Sequence, residues 1–139
     1  MLIGLCHGVF DILHFGHIRH FLAAKAMCDE LVVSVTSDRY VNKGPGRPVF
    51  SLEQRIEVLS SIAVISRVIA SDCPNGLQSL QQIRPGIYFK DVEYRGSVHP
   101  GFVAEQEYCA AHRIRLVFTE ELRSSSTAAL QKLREALND

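Results

Sequence analysis

The sequence predicts a doubly wound α/β domain, and three observations carry that expectation. Five short apolar runs recur along the chain, at residues 2–6, 31–36, 67–70, 87–90 and 115–118. Helical patterning separates them, near 17–28, 51–63, 76–84, 102–112 and 125–137. The spacing between successive runs suits β–α–β crossovers rather than hairpins. Together these describe a single Rossmann-like sheet of five parallel strands with helices on both faces.

Each element has its own justification. The first run, Leu2-Ile3-Gly4-Leu5-Cys6, is apolar but lacks a basic flank. His7 and Asp11 interrupt it well short of the roughly 20 residues that a membrane span needs. It reads as a buried strand. The later runs are near-continuously hydrophobic, as a parallel sheet covered on both faces requires. In the second helical stretch Leu52, Ile56, Leu59 and Ile62 share a face, and Ser51 with Gln54 forms a capping box. Asp29, Asn42 and Asn75 mark other turns or caps, and Leu130, Leu133 and Leu137 line the last helix.

Composition bounds the function. The chain has 139 residues, 15 Lys and Arg against 15 Asp and Glu, and is 47% hydrophobic. That predicts one domain over residues 1–139, able to bury a core without disulfides or a structural metal. No basic tail exists, so capture of bulk nucleic acid is not expected. An anionic ligand must meet a few basic groups gathered by the fold. The four cysteines, Cys6, Cys28, Cys73 and Cys109, form no Cys-x-x-Cys pair, and the expectation is reduced thiols in a cytoplasmic protein with no membrane partner.

In a doubly wound sheet ligands bind beyond the carboxyl ends of the strands. The first such loop reads Gly8-Val9-Phe10-Asp11-Ile12-Leu13-His14-Phe15-Gly16-His17 and opens a helix. Backbone N–H groups at a helix start favour anions, Gly16 permits close approach, and two imidazoles can hold phosphate oxygens. Neither a P-loop nor Gly-x-Gly-x-x-Gly occurs. His14, His17 and His20 at three-residue spacing leave a zinc reading open, although no cysteine or carboxylate cluster completes it. His7, His99 and His112 carry no clear signal, and His20 otherwise reads as an ordinary helix-face residue.

At these residues the sequence resembles the H-x-G-H nucleotidyltransferase superfamily, matching G-x-F-D-x-x-H-x-G-H at every specified position from Gly8 to His17. Residues 42–55, with Lys43, Arg47 and Arg55, resemble the heptose-phosphate nucleotidyltransferase branch, and less closely the glycerol-3-phosphate cytidylyltransferases. By that resemblance Lys43 contacts phosphates and Arg55 faces the phosphorylated substrate or pyrophosphate. Asp11, Asp38 and Arg47 are expected on the acceptor side, Asp11 also as a loop-ordering carboxylate. After the fourth strand, Lys90, Glu93 and Tyr94 fit the family pattern, whereas Asp91 stands where relatives carry glycine. Arg123, Ser124, Ser125 and Ser126 resemble the hydroxyl-rich segment that binds triphosphate. The arginine of glycerol-phosphate members falls on Thr119 here.

The resemblance implies attack by an acceptor phosphate oxygen on the α-phosphorus of a nucleoside triphosphate, without an enzyme nucleophile. His14, His17, Lys43 and Arg55 are the expected catalytic groups. Gly8, Val9, Phe10 and Gly16 join the nucleotide side, magnesium rides on the triphosphate, and a homodimer is expected. The first reading is a cytidylyltransferase using CTP and a glycerol-3-phosphate-like polyol or sugar. The alternatives are an ATP-using enzyme acting on a heptose-phosphate-like sugar, a nucleotide-binding module with decayed catalysis, and a metal-binding domain. The length leaves room for this domain only, so a kinase partner is expected on a separate chain.

Overall fold

The computed structural model describes residues 1–120 and 126–138. Strands β1 (Ile3–Gly8), β2 (Glu30–Thr36), β3 (Arg67–Ser71), β4 (Ile87–Asp91) and β5 (Arg115–Thr119) alternate with helices α1 (Phe15–Lys25), α2 (Leu52–Ser60), α3 (Leu77–Ile83), α4 (Pro100–Ala111) and α5 (Ser126–Asn138). All strand pairs are parallel, in the order β3-β2-β1-β4-β5. β1 is central, with Cys6 level with Val33 on one side and Phe89 on the other. The order reverses beside β1, where β2 and β4 part, and this is where an open α/β sheet offers a crevice.

Side chains alternate across each strand, which splits the core in two. On one face Cys6, Val33, Val35, Ile87 and Phe89 pack with Phe21 and Ala24 of α1 and Leu59 of α2. On the other Leu5, Val32 and Tyr88 pack with Leu80 of α3 and Cys109 of α4. Most of these side chains are fully buried. Burial pushes the Cys6 thiol far up, as the repulsion of Cys28 also does, so it is an inert core group.

The strands lie where their apolar runs predict, and β1 extends two residues further, to Gly8. The Ser51–Gln54 capping box forms as predicted. Short 3-10 turns at Asp38–Tyr40 and Val92–Tyr94 fall after β2 and β4. α5 forms where its pattern predicts, with Leu130 half-buried and Leu133 and Leu137 exposed.

Candidate active site

A cavity of about 310 Å³ opens at the carboxyl ends of β1 and β4. Gly8, Val9 and Phe10 form its β1 side, with His17 and His20 of α1. Phe10 is buried at φ 53°, a left-handed conformation rare for a bulky residue, and packs its ring against His17 and Phe21. Gly8 makes room for it, since a Cβ there would lie 2.9 Å from the Phe10 ring. The expected nucleotide-side glycine thus shapes the loop as well as lining the cavity.

The two signature histidines are bound into the start of α1. His14 Nδ1 accepts the Gly16 N–H at 3.0 Å, and His17 Nδ1 accepts the His14 N–H at 3.1 Å, a capping box made of imidazoles. With Nδ1 accepting, each neutral ring carries its proton on Nε2, as a donor. The rings lie 4.0 Å apart between centroids. Burial, then repulsion from His14, His20 and Lys43, lowers the His17 pKa to about 3. Burial and then Lys43 lower His14 as well. At neutral pH both are uncharged N–H donors, and positive potential comes from Lys43 on the cavity wall and the α1 N-terminus. Desolvation and the nearby Arg47 pull Lys43 below its ordinary value.

Four residues expected to contact substrate, Arg55, Asp38, Asp11 and Arg47, are engaged with other groups of the protein. Arg55 is 2% exposed. Its guanidinium donates to the carbonyls of Phe50, Val9 and Thr36 and to Asp38 Oδ1. It does not line the main cavity but an apolar one of about 170 Å³ with Phe10, Phe50 and Leu59. In this structure Arg55 ties the ends of β1 and β2 to the start of α2, with Asp38 as its outer partner. Asp11 is 1% exposed and saturated by the Val49 N–H at 2.7 Å, the Phe50 N–H at 3.0 Å and Arg47 Nε at 3.1 Å. Arg47 also bonds the Asp11 carbonyl oxygen and Thr127. Burial opposes ionisation of Asp11, but these donors outweigh it and hold its pKa below the ordinary value. Asp11 and Arg47 dock the loop carrying Lys43 onto the loop carrying the histidines.

At the end of β4, Lys90 and Tyr94 line the cavity and Glu93 does not. The Glu93 side chain is exposed, and its N–H donates to Asp91. Lys90 Nζ lies 3.6 Å from Glu105 Oε1 and 4.1 Å from the Tyr94 ring centroid. Arg123, Ser124 and Ser125 lie outside the described residues, as does the side chain of Ser126 at the start of α5.

Sequence reasoning missed a buried polar layer beneath the cavity. His7 pairs with Ser34 Oγ at 2.7 Å and Thr36 Oγ1 at 3.3 Å, and burial followed by the Lys90 charge lowers its pKa to about 3. His20 Nδ1 lies 2.6 Å from Thr119 Oγ1, and burial lowers its pKa to about 4. Glu105 of α4 accepts from Tyr88 Oη and the Gly76 N–H. His20, one turn beyond His17, had a usable signal in that spacing. Glu105 had none. Among the described residues no group of three or more His, Cys, Asp or Glu side chains could hold a metal ion, and no helix is long and apolar enough to cross a membrane.

A switch-point cavity framed by helix-capping histidines defines a nucleotide-binding α/β domain of the H-x-G-H class. The chain belongs to the cytidylyltransferase-like family of nucleotidyltransferases, whose family profile matches residues 5–127. It is 35% identical to bifunctional protein HldE of Nitrobacter hamburgensis over 132 residues, 94% of this chain and 26% of that protein. Over 94 residues it is 40% identical to bifunctional protein HldE of Hyphomonas neptunium, 66% of this chain and 19% of that one. The chain therefore spans about a quarter of the length of the curated relatives it matches. Among solved structures it is similar to a lipopolysaccharide core biosynthesis protein of Thermoplasma volcanium, with a TM-score of 0.72, 25% identity, and 87% and 98% of the two chains covered. Pantothenate synthetase of Thermus thermophilus shares the fold at 13% identity, with a TM-score of 0.59 and 86% and 55% covered.

Proposed function

We propose that this chain transfers a nucleoside monophosphate from ATP to a heptose-phosphate-like sugar, releasing pyrophosphate. The observation that carries the reaction class is the pair of neutral imidazoles, each accepting through Nδ1 and so carrying its proton on Nε2, with His17 and Lys43 lining the switch-point cavity and the His14 ring 4.0 Å from that of His17. An acceptor phosphate oxygen forms a bond to the α-phosphorus while the bond to the bridging oxygen of the pyrophosphate breaks. The fixed donors stabilise charge gathering on non-bridging oxygens, and Lys43 and the α1 N-terminus offset the remainder. Magnesium arrives with the triphosphate, and Asp11, on the histidine loop, is already engaged by protein donors.

ATP and a sugar phosphate replace the first reading of CTP and glycerol phosphate on three grounds. Residues 42–55 resemble the heptose-phosphate branch, and the relatives include bifunctional HldE proteins and a lipopolysaccharide core biosynthesis protein. Thr119, where glycerol-phosphate members bear arginine, is engaged with His20. A homodimer and a single domain over residues 1–139 complete the proposal. Pyrophosphate release, measured with each of four nucleoside triphosphates against heptose phosphates, glycerol 3-phosphate and other phosphorylated polyols, tests it. Turnover is expected with ATP and a heptose phosphate. CTP with glycerol 3-phosphate as the active pair would restore the first reading, and binding without turnover would favour a decayed module.

A further inference from the structure

A carboxylate stands in the buried face of α4, between Phe102 and Cys109. Glu105 is 3% exposed and borders the cavity. Burying a carboxylate there is unfavourable unless donors meet it. Two do: Tyr88 Oη donates to its Oε1 at 2.9 Å, and the Gly76 N–H to its Oε2 at 2.6 Å. Gly76 has an ordinary φ of −83° and is needed for space, since a Cβ there would press on the Tyr88 hydroxyl and lie 3.1 Å from Glu105 Oε2. Neither donor is charged, so neither accounts for an anion here rather than a neutral acceptor. The third contact does. Lys90 follows Tyr88 by two residues on β4 and so shares its face of the sheet. Its Nζ stands 3.6 Å from Glu105 Oε1 and 4.1 Å from the centroid of the Tyr94 ring.

A separation of 3.6 Å is longer than a hydrogen bond, so the ammonium keeps its donors for the cavity that Lys90 lines. Nor is Nζ sealed from that cavity: among the described residues the buried side-chain atoms sealed without a partner are Ser71 Oγ and Asp91 Oδ1. We propose that Glu105 is a positioning residue for Lys90, its fixed carboxylate holding the ammonium at the end of β4 to receive a phosphate of the nucleoside triphosphate. Tyr94 bounds the same ammonium with its ring face. The carboxylate keeps both of its hydrogen bonds when the ammonium turns to a ligand, so release strands no buried acceptor. Lys43 and Lys90 then set cations on two walls of one cavity. The inference rests on the nucleotidyltransferase reading above and gives α4, a helix without a signature residue, a part in the site.

Calorimetric titration of the unsubstituted chain, Glu105→Gln, Lys90→Met and the double variant with magnesium ATP and with inorganic tripolyphosphate tests it. Lys90→Met is expected to weaken both ligands about tenfold, the worth of one charge-assisted contact. Glu105→Gln is expected to weaken them about fivefold, and to add nothing beyond about twofold once Lys90 is already methionine, because Glu105 acts through Lys90. Losses that multiply in the double variant, the result of a carboxylate that only supports the fold, would overturn the assignment. So would Glu105→Gln binding ATP as tightly as the unsubstituted chain or more tightly. A loss seen with ATP and not with tripolyphosphate would move the contact to the nucleoside, and a raised KM for the sugar phosphate at unchanged ATP affinity would move it to the acceptor; either overturns it too. If the unsubstituted chain binds no nucleoside triphosphate, the underlying reading fails first and this one with it. Tyr88→Phe, which removes one anchor of the carboxylate and keeps its charge, supplies the same cycle should Glu105→Gln not fold.

Discussion

Arg55 and Asp38 share a 2.6 Å ion pair whose two ends stand in different surroundings, the guanidinium 1% exposed and the carboxylate 50% exposed. The carboxylate can turn to water. The guanidinium cannot, and it also holds three backbone carbonyls from separate segments. Asp38→Asn should therefore cost about 1 kcal/mol or less. Arg55→Ala, which leaves those carbonyls without donors, should cost about 3–5 kcal/mol. Urea denaturation of both variants measures the difference, and equal costs would remove Arg55 from its role as a clamp.

His14 caps a helix and offers a donor with the same ring, and substitution can separate the two. His14→Ala should lose about 1 kcal/mol from the cap and on the order of 10²–10³ in kcat. Asparagine is a good N-cap, so His14→Asn should regain most of the stability while turnover stays low. Recovery of both together would mean that the imidazole acts only as a cap.

Asp11 fixes the Lys43 loop through the N–H groups of Val49 and Phe50 and the Arg47 guanidinium. Asp11→Ala strands a buried guanidinium and should cost about 3–5 kcal/mol. Limited trypsin digestion under native conditions should then cut faster after Lys43 than elsewhere. Unchanged cleavage there would show that other contacts hold the loop.

Acid should destabilise the domain well before its carboxylates titrate. His7 and His17 have native pKa values of about 3 and His20 of about 4, against 6.5 for a free imidazole. Between these values the unfolded chain binds protons that the native state refuses, so stability falls as pH drops. Three such groups give a slope of up to roughly 4 kcal/mol per pH unit near pH 5. Asp11, depressed below the ordinary aspartate value of 3.8, acts in the same direction, its contribution holding above that pH and fading beneath it. Thermal melts from pH 7 to pH 4 check this, and a flat Tm would contradict the neutral histidines.

The sheet, its helices and the histidine loop were legible in the sequence because each is a local pattern. Apolar runs, a Ser51–Gln54 cap and a ten-residue signature do not depend on distant neighbours. The protein partners of Arg55 were not legible, for the opposite reason. A basic residue in the first turn of a helix looks the same whether it faces phosphate or sinks among carbonyls of Val9 and Thr36, and only the long-range fold decides. Glu105 likewise sits in α4 with no local mark, and its partners Tyr88 and Lys90 reach it only once β4 is in place. The exposed leucines of α5 show the converse limit, since periodicity identifies a stripe but not what covers it.

The clamp on residues 49 and 50 brackets the preceding loop at two fixed points, the end of β2 and the carboxylate of Asp11. A segment pinned at both ends can lengthen cheaply, since doubling a flexible loop costs only about 0.6 kcal/mol in closure entropy. Its glycines Gly44 and Gly46, at φ 99° and 76°, stand in open space, where an added Cβ would meet no atom within 4 Å. Gly44 and Gly46 are thus points where the loop can be lengthened on a permanent mount, with Lys43, on the cavity wall just before them, kept in place.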